Sequence, residues 1–165
     1  MTQMVEPGEV KQWLSDGSEI AFIDVREHGP YGDGHPFFGI PVAYSVFETR
    51  LTDIVPNRAV RMVLYDNADG LAELAAARAN ALGYSNVSIM KGGAPAWGAA
   101  GFTLYEGVNL PSKTFGELLE IERHTPRKSS EEVVALAKEK ANHVIVDGRP
   151  WAEYTKFNIP GGICC

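Results

Sequence analysis

A continuous apolar run, Ile20-Ala21-Phe22-Ile23, ends in Asp24 near the start of the chain. Such runs are typical of parallel strands that are buried on both faces of a sheet. Similar apolar segments follow at residues 60–65 and 87–90. Because strands of this kind need cover on both sides, they predict an α/β fold.

The segments between the strands carry helix signals. Pro7 suits a first helical turn, and residues 71–82 are rich in alanine and leucine before Gly83. The predicted elements are helices at residues 7–14, 47–54, 71–82 and 94–100 and a further short strand at residues 42–46. Strands that alternate with helices predict a parallel sheet of about five strands with helices on both faces.

Length and charge limit the possible functions. The chain has 165 residues, 45% of them hydrophobic, and a formal net charge of −6. This charge argues against nucleic-acid binding, which depends mainly on Lys and Arg. No apolar run is long enough to span a membrane, and the N-terminus does not resemble a signal peptide. We therefore expect a cytoplasmic protein that binds neither nucleic acid nor membranes.

The cysteines and histidines indicate neither a disulfide framework nor a metal site. Cys164 and Cys165 are adjacent, and adjacent cysteines rarely pair with each other. The four histidines are scattered without the spacing of metal ligands: His28, His35, His124 and His143. We expect no metal and no cofactor.

The chain repeats itself at an offset of 123 residues. The related pairs are Glu9 and Glu132, Val10 and Val133, Asp24 and Asp147, Arg26 and Arg149, Tyr31 and Tyr154, and Gly39 and Gly162. We interpret this order as a tandem duplication. It predicts a complete module at residues 1–106, a linker with a short helix at 107–130, and the truncated start of a second copy at 131–165.

The ordered motifs resemble the rhodanese domain family. They are Phe22-Ile23-Asp24-Val25-Arg26-Glu27, Gly34-His35, and Gly92-Gly93-Ala94-Pro95-Ala96-Trp97, and in the second copy Asp147-Gly148-Arg149 and Ile159-Pro160-Gly161-Gly162. The segment from Pro111 to Glu117 also resembles the connector of bacterial proteins that join several rhodanese modules. The resemblance covers nearly the whole chain and implies thiosulfate sulfurtransferase ancestry.

The resemblance also implies a cysteine nucleophile, which this chain lacks at the corresponding position. The family places it at the start of a loop between a buried strand and a helix, here Asp66, Asn67, Ala68, Asp69, Gly70 and Leu71. The cysteine position falls on Asp66, and a carboxylate cannot form a stable persulfide. Asp69 and Glu73 add negative charge that would repel thiosulfate. We therefore expect no catalytic residue in the first module.

Two roles remain open for Asp66 and Asp69. They can shape the loop and cap the following helix, since acidic residues favour helix N-termini. Alternatively, the loop recognises a ligand, with Asp66 as a fixed internal anion among backbone amides.

Other conspicuous residues are interpreted as structural. Asp24 and Arg26 would form a scaffold pair that recurs as Asp147 and Arg149. His35 would belong to the hydrogen-bonding framework of its loop. We expect packing roles, buried or half-buried, for Trp13, Trp97 and Trp151.

Cys164 and Cys165 are not expected to be nucleophiles. At the repeat offset they correspond to Pro41 and Val42, which lie upstream of the loop. The corresponding loop of the second copy would lie beyond residue 165.

Two functions fit these observations. The chain is either the non-catalytic N-terminal portion of a multi-module sulfurtransferase, supporting an active module C-terminal to it, or an inert rhodanese-like module that binds a protein or an anion. Residues 128–165 are too few to bury a core alone. They would pack on the first module, exchange between two chains to give a homodimer, or be loosely ordered.

Overall fold

The computed structural model describes residues 2–165, which divide into two compact units, one ending at Leu118 and the other running from Leu119 to Cys165. The strands of the first unit are β1 (Gln3–Val5), β2 (Ile20–Asp24), β3 (Ile40–Pro41), β4 (Arg61–Tyr65) and β5 (Val87–Met90). They form one sheet in the order β1-β5-β4-β2-β3, and every pair is parallel. The predicted α/β class and five-stranded parallel sheet are confirmed.

Helices cover both faces of this sheet. They are α1 (Pro7–Trp13), α2 (His28–Asp33), α3 (Phe47–Ile54), α4 (Leu71–Ala81) and α5 (Gly93–Ala99). One apolar cluster joins β2 and β4 to α3 and α4 through residues such as Ile23 and Leu51. A second cluster, on the opposite face, joins the same strands to α1 and α5 through residues such as Phe22 and Trp97. Alternate residues of β2 thus enter opposite clusters, as the pleat of a strand requires.

The predicted strand at residues 42–46 is wrong. The strand there is β3, which ends at Pro41, and residues 44–46 form a 3-10 turn. The backbone still follows β2, because Val42 N–H donates to the Asp24 carbonyl (2.9 Å) and Tyr44 N–H to the Val25 carbonyl (2.9 Å). The chain then turns directly into α3, so the apolar residues that suggested a strand enter a turn instead.

Two short elements lay outside the prediction. β1 is a three-residue strand at the edge of the sheet. Its sequence, Gln-Met-Val, is too short to show the alternation of apolar and polar residues that predicts a strand. α2 contains Gly29, Pro30 and Gly32, residues that normally indicate a loop. Both elements depend on contacts with the rest of the unit rather than on local helix or strand propensity.

The linker region is more helical than predicted. α6 runs from Leu110 to Arg123, whereas the sequence predicted only a short helix within a linker at residues 107–130. Pro111 lies in the first turn of α6, where proline is tolerated because its missing N–H has no intrahelical partner there. The proline that suggested a linker is therefore part of the start of a helix.

The second unit has its own elements. They are α7 (Ser130–Lys138), β6 (Val146–Asp147), α8 (Trp151–Tyr154) and β7 (Ile163–Cys164). A capping box starts α7: Ser129 accepts from the N–H of Glu132, whose side chain accepts from the N–H of Ser129. β6 and β7 pair in parallel. No helix among residues 2–165 is long and apolar enough to cross a membrane.

The core of the first unit leads to a stability prediction. Leu51 on α3 is fully buried, whereas Leu74 on α4 is 55% exposed. We expect Leu51→Ala to lower the free energy of unfolding by about 2–5 kcal/mol, because it leaves a cavity in the core. The matched control, Leu74→Ala, should change it by less than about 0.5 kcal/mol. Urea denaturation followed by tryptophan fluorescence tests this, and equal costs for the two variants would contradict the packing described.

Candidate functional site: the β4–α4 loop

The candidate site lies at the carboxyl edge of the sheet, next to the two central strands. β2 ends at Asp24, and β4 ends at Tyr65, directly before Asp66. The chain leaves β2 towards β3 on one side, and leaves β4 towards β5 on the other. In α/β sheets, a crevice for ligands forms outside the carboxyl ends of strands where the connections diverge in this way. Residues 66–71, the β4–α4 loop, occupy this position.

The carboxylate of Asp66 fills the interior of the β4–α4 loop. The residue is only 3% exposed. Its Oδ1 accepts a hydrogen bond from the N–H of Ala68 (2.8 Å), and its Oδ2 accepts one from the N–H of Ala72 (3.0 Å). The amides that converge on the centre of the loop are therefore occupied by an anion that belongs to the chain.

These amides set the protonation state of Asp66. Burial alone would raise the pKa of its carboxyl group. The N–H groups of Ala72 and Ala68, with smaller contributions from the Asp69 side chain and the N–H of Leu71, favour the charged form, so the pKa lies below its usual range. Asp66 is thus a carboxylate at neutral pH.

The rest of the loop is exposed and lies at the start of α4. Ala68 and Gly70 both have positive φ angles, 62° and 87°. Asp69 Oδ1 accepts weakly from the N–H of Leu71 (3.3 Å). Asp66 and Asp69 thus both accept N–H groups of the first turn of α4, although the N-cap position itself is held by Gly70.

Arg26 connects the β4–α4 loop to the neighbouring strand. Its guanidinium donates to the carboxylate of Asp24 through Nε (2.9 Å) and Nη2 (2.6 Å), and to the carbonyl of Gly34 (2.8 Å). Its Nη1 donates to Oδ1 of Asn67 in the loop (3.0 Å). Burial alone would lower the pKa of Arg26, but the hydrogen bonds and charge of Asp24 raise it. The cation beside the loop is therefore already paired with a buried anion.

His35 is buried beside this network. Its Nδ1–H donates to the carbonyl of Tyr31 (2.9 Å), and its ring stacks on that of Tyr31 with centroids 3.8 Å apart. Its Nε2 has no hydrogen-bond partner among residues 2–165. Burial lowers the pKa of His35, which favours the neutral ring. Its contacts are those of a framework residue.

The three tryptophans have different environments. Trp97 is 3% exposed in the core of the first unit, and Trp13 packs against the same cluster. Trp151 is 67% exposed, so its predicted packing role is wrong within the second unit. There its ring only stacks on Tyr154, with centroids 5.5 Å apart.

Asp147 and Arg149 of the second unit make the same pair as Asp24 and Arg26. Arg149 Nη2 lies 2.7 Å from Asp147 Oδ2. Cys164 is in β7, with Sγ 3.6 Å from the Arg149 carbonyl, and Cys165 directly follows this strand. Both thiols are thus on or beside a strand rather than in a strand-to-helix loop. Among residues 2–165, no three His, Cys, Asp or Glu side chains are grouped so that they could hold a metal ion.

Gly93 and Ala94 also shape the site, although the sequence pattern did not predict that they lie there. The N–H of Ala94 donates to the carbonyl of Asp66 (2.8 Å). Gly93 has a φ of +57°, and a Cβ at this position would overlap the carbonyl oxygen of Asp66. The adjacent pair Gly92-Gly93 was the signal for this close approach, but nothing in the sequence indicates that the partner is Asp66.

The low pKa of Asp66 leads to a pH-dependent stability prediction. A carboxyl group with a lowered folded-state pKa stabilises the fold above its unfolded pKa of about 4, and this contribution is lost as the pH falls through the folded value. Asp66→Ala leaves two amides without their acceptor, which should cost about 2 kcal/mol at pH 7. We expect this deficit to shrink steadily below about pH 4 in urea denaturation. Asp53→Ala, which removes an exposed carboxylate of α3, is the control, and a deficit independent of pH would contradict the assignment.

The approach of Gly93 leads to a second prediction. Gly93→Ala adds a methyl group against the Asp66 backbone, whereas Gly101→Ala adds one where nothing lies within 4 Å. Both glycines have positive φ, so both variants carry the cost of a left-handed conformation. We expect Gly93→Ala to be less stable than Gly101→Ala by about 1–3 kcal/mol, the usual cost of overpacking. Equal stabilities of the two variants in urea denaturation would show that the contact between Gly93 and the Asp66 backbone has room for a methyl group.

Solved structures with the same fold include several from bacteria and archaea. A crystal structure of thiosulfate sulfurtransferase from Pseudomonas aeruginosa is 41% identical, has a TM-score of 0.87, and matches 98% of this chain but only 31% of that chain. A protein from Anabaena sp. is 21% identical over 66% of this chain and 99% of its own, with a TM-score of 0.58. A rhodanese-related protein from Thermoplasma volcanium is 16% identical over 62% of this chain and 97% of its own, with a TM-score of 0.54. At these identities the last two show the fold alone.

The family of the chain follows from its sequence. No match is found among curated protein sequences. The model of the rhodanese-like domain matches residues 6–100, a span that includes β2, β4 and the whole β4–α4 loop. Because this match covers more than half of the chain, the protein belongs to the rhodanese-like domain family.

Proposed function

We propose that the chain is the N-terminal portion of a multi-module rhodanese-type sulfurtransferase, in which residues 1–106 do not catalyse and support an active module C-terminal to them. The observation that carries this proposal is the position of Asp66. Its carboxylate accepts the N–H groups of Ala68 and Ala72, where the family resemblance would place a nucleophilic thiolate.

The chemistry of sulfur transfer requires a sulfur nucleophile. A thiolate attacks the outer sulfur of thiosulfate, a persulfide S–S bond forms, and sulfite leaves with the electron pair of the broken bond. Cyanide then attacks the outer persulfide sulfur, which releases thiocyanate and restores the thiolate. Asp66 offers only carboxylate oxygens, which cannot store the transferred sulfur.

The charges around the loop also oppose binding of an anionic donor. Asp66 is held as a carboxylate, and the exposed loop and first helical turn carry Asp69 and Glu73. Arg26, the cation bonded to this loop, already pairs with Asp24 at 2.6 Å. Thiosulfate, a dianion, would therefore meet net negative charge at the mouth of the loop.

The internal geometry of the second unit favours a second module. At the offset of 123 residues, Tyr31 Oη donates to the carbonyl of Gly39 (3.0 Å) and Tyr154 Oη to that of Gly162 (2.7 Å). The pairs of β2 with β3 and of β6 with β7 share the same register at this offset. We infer that residues 131–165 are the opening of a second rhodanese-like module, with Cys164 in a strand position.

The relative from Pseudomonas aeruginosa supports a longer sulfurtransferase. This chain spans 31% of the length of that protein, which is named a thiosulfate sulfurtransferase. Activity in a later module is consistent with both the long relative and the lack of a nucleophile in the β4–α4 loop. The partners of residues 1–106 would then be the C-terminal modules of the same polypeptide.

A sulfur-transfer assay tests the proposal. We expect the unmutated chain to form no thiocyanate from thiosulfate and cyanide above a buffer blank. Asp66→Cys places a thiol among the amides of the loop. Combining it with Asp69→Ala removes a second negative charge that would repel thiosulfate. We expect this double variant to form a persulfide, detected by mass spectrometry as a gain of one sulfur atom, and to turn over slowly.

The controls distinguish a thiol in the β4–α4 loop from the two native thiols. Cys164→Ser with Cys165→Ser removes both native cysteines from either background and should leave the results unchanged. Robust turnover by the unmutated chain that this pair of substitutions abolishes would show that the nucleophile lies in the second unit, and the proposal would fail.

A further inference from the structure

The first unit contains a cavity of about 190 Å³ that is separate from the β4–α4 loop. Three parts of the chain line it: the end of α1, the segment just before β3, and the end of α5 with the residues that follow it. None of the residues 66–71 takes part in the lining. The cavity is therefore a feature that the chemistry of the loop leaves unexplained.

Aromatic rings form most of the wall of this aromatic cavity. Trp97 and Phe102 make one group, with ring centroids 4.8 Å apart. Phe37 meets Phe38 and Tyr105 edge to face, with centroids 4.9 Å and 5.5 Å apart. An apolar cavity of about 150 Å³ is enough to hold a benzene ring. The aromatic cavity thus has room for one ring with a short substituent.

The wall is held in place by hydrogen bonds within the unit. The N–H of His35 donates to the carbonyl of Tyr105 (3.0 Å), and the N–H of Tyr105 donates to the carbonyl of His35 (2.8 Å). Trp97 is buried, and its Nε1–H donates to the carbonyl of Thr103 (3.1 Å). Because these groups are already bonded, an extended peptide could not pair its backbone with them. The wall therefore suits a small molecule better than a peptide strand.

Lys11 gives the aromatic cavity its charge. Among residues 2–165, it is the one charged residue that lines the cavity. Its exposed side chain forms no ion pair with any residue in that range. An anionic group at the mouth of the cavity would thus meet a free ammonium group, whereas a cationic group would be repelled.

We propose that the aromatic cavity binds a small aromatic carboxylate. The ring lies among Trp97, Phe102 and Phe37, and the carboxylate faces the ammonium group of Lys11. Burial of the ring supplies most of the affinity, and Lys11 selects the sign of the charge on the ligand. The inference does not rest on the proposed sulfurtransferase role, since the two involve different residues.

A matched pair of ligands tests this proposal on the full chain. 3-Phenylpropionate and phenethylammonium carry the same ring and two-carbon linker but opposite charges. With 3-phenylpropionate we expect saturable shifts of the NMR amide signals of Gly101, Phe102 and Thr103, and a Kd on the order of 1 mM, as for other ligands of this size. Phenethylammonium should bind about fivefold more weakly at low ionic strength. This difference should shrink in about 1 M salt, which screens exposed charges.

Substitution of Lys11 tests the origin of the charge preference. Lys11→Met keeps a long side chain but removes the charge, so it should weaken binding of 3-phenylpropionate about twofold to fivefold and abolish the preference over phenethylammonium. Lys91→Met is the matched control. Lys91 lies outside the cavity and pairs with Glu6 at 2.8 Å. Its substitution changes the net charge equally and should leave the preference intact.

Substitution of Phe38 tests the aromatic wall. The Phe38 ring is 55% exposed, so Phe38→Ala should fold normally. It should weaken binding of both ligands about threefold to tenfold, because an aromatic contact is lost. The control, Phe115→Ala, removes a ring that is 60% exposed and lies outside the cavity, and it should bind as the unmutated chain does.

Several results would overturn the inference. Equal binding of the two ligands, amide shifts outside the cavity, or no saturation by about 10 mM ligand, tenfold the expected Kd, would each do so. The tripeptide Ala-Ala-Phe carries the same ring and a terminal carboxylate, and tighter binding of it would identify a peptide C-terminus as the ligand instead. If Phe38→Ala unfolds, the comparison of Lys11→Met with Lys91→Met still decides. The readout involves no sulfur transfer, so failure here leaves the assay of the Asp66 variants unaffected.

Discussion

The buried guanidinium of Arg26 contacts three parts of the first unit that are separate in sequence. It binds the carboxylate that ends β2, the carbonyl of Gly34 after α2, and Asn67 in the β4–α4 loop. A buried charge is tolerated only when it is paired and hydrogen-bonded, so these partners must be present together. Arg26 therefore helps to hold the β4–α4 loop against the sheet, together with the N–H of Ala94, which donates to the Asp66 carbonyl.

The carboxylate of Asp66 satisfies the backbone N–H groups that point into the loop. In a site that binds an anion, converging amides leave room for the ligand. Here the Asp66 carboxylate takes the N–H groups of Ala68 and Ala72, and the loop is closed from the other side by Ala94, which donates to the Asp66 carbonyl. The amides of Ala68 and Ala72 are thus already bonded to an anion of the chain itself. The hydrogen bonds of this loop need only an anionic acceptor, whereas sulfur transfer would need a sulfur atom at the same place.

The second unit has few helices and strands, and its polar contacts differ from its apolar contacts in how fully they form. The Asp147–Arg149 pair and the Tyr154–Gly162 hydrogen bond form within residues 147–162. In contrast, Val144 and Val146 are 67% and 57% exposed, while Ala21 and Ile23, which correspond to them, are buried in the first unit. Polar contacts between residues close in sequence therefore form within this unit, while the side chains of Val144 and Val146 stay exposed.

The sequence by itself determined the buried strands, the helices α3 and α4, and the Asp24–Arg26 pair, because each depends on residues that are close along the chain. Apolar runs indicate burial, and a carboxylate two residues before an arginine meets it locally. Only the tertiary structure decided that Asn67, 41 residues from Arg26, is a partner of the same guanidinium. It also decided that the Gly92-Gly93 pair exists to let the backbone approach Asp66. Such contacts follow from how the strands are ordered in the sheet, which no local pattern encodes.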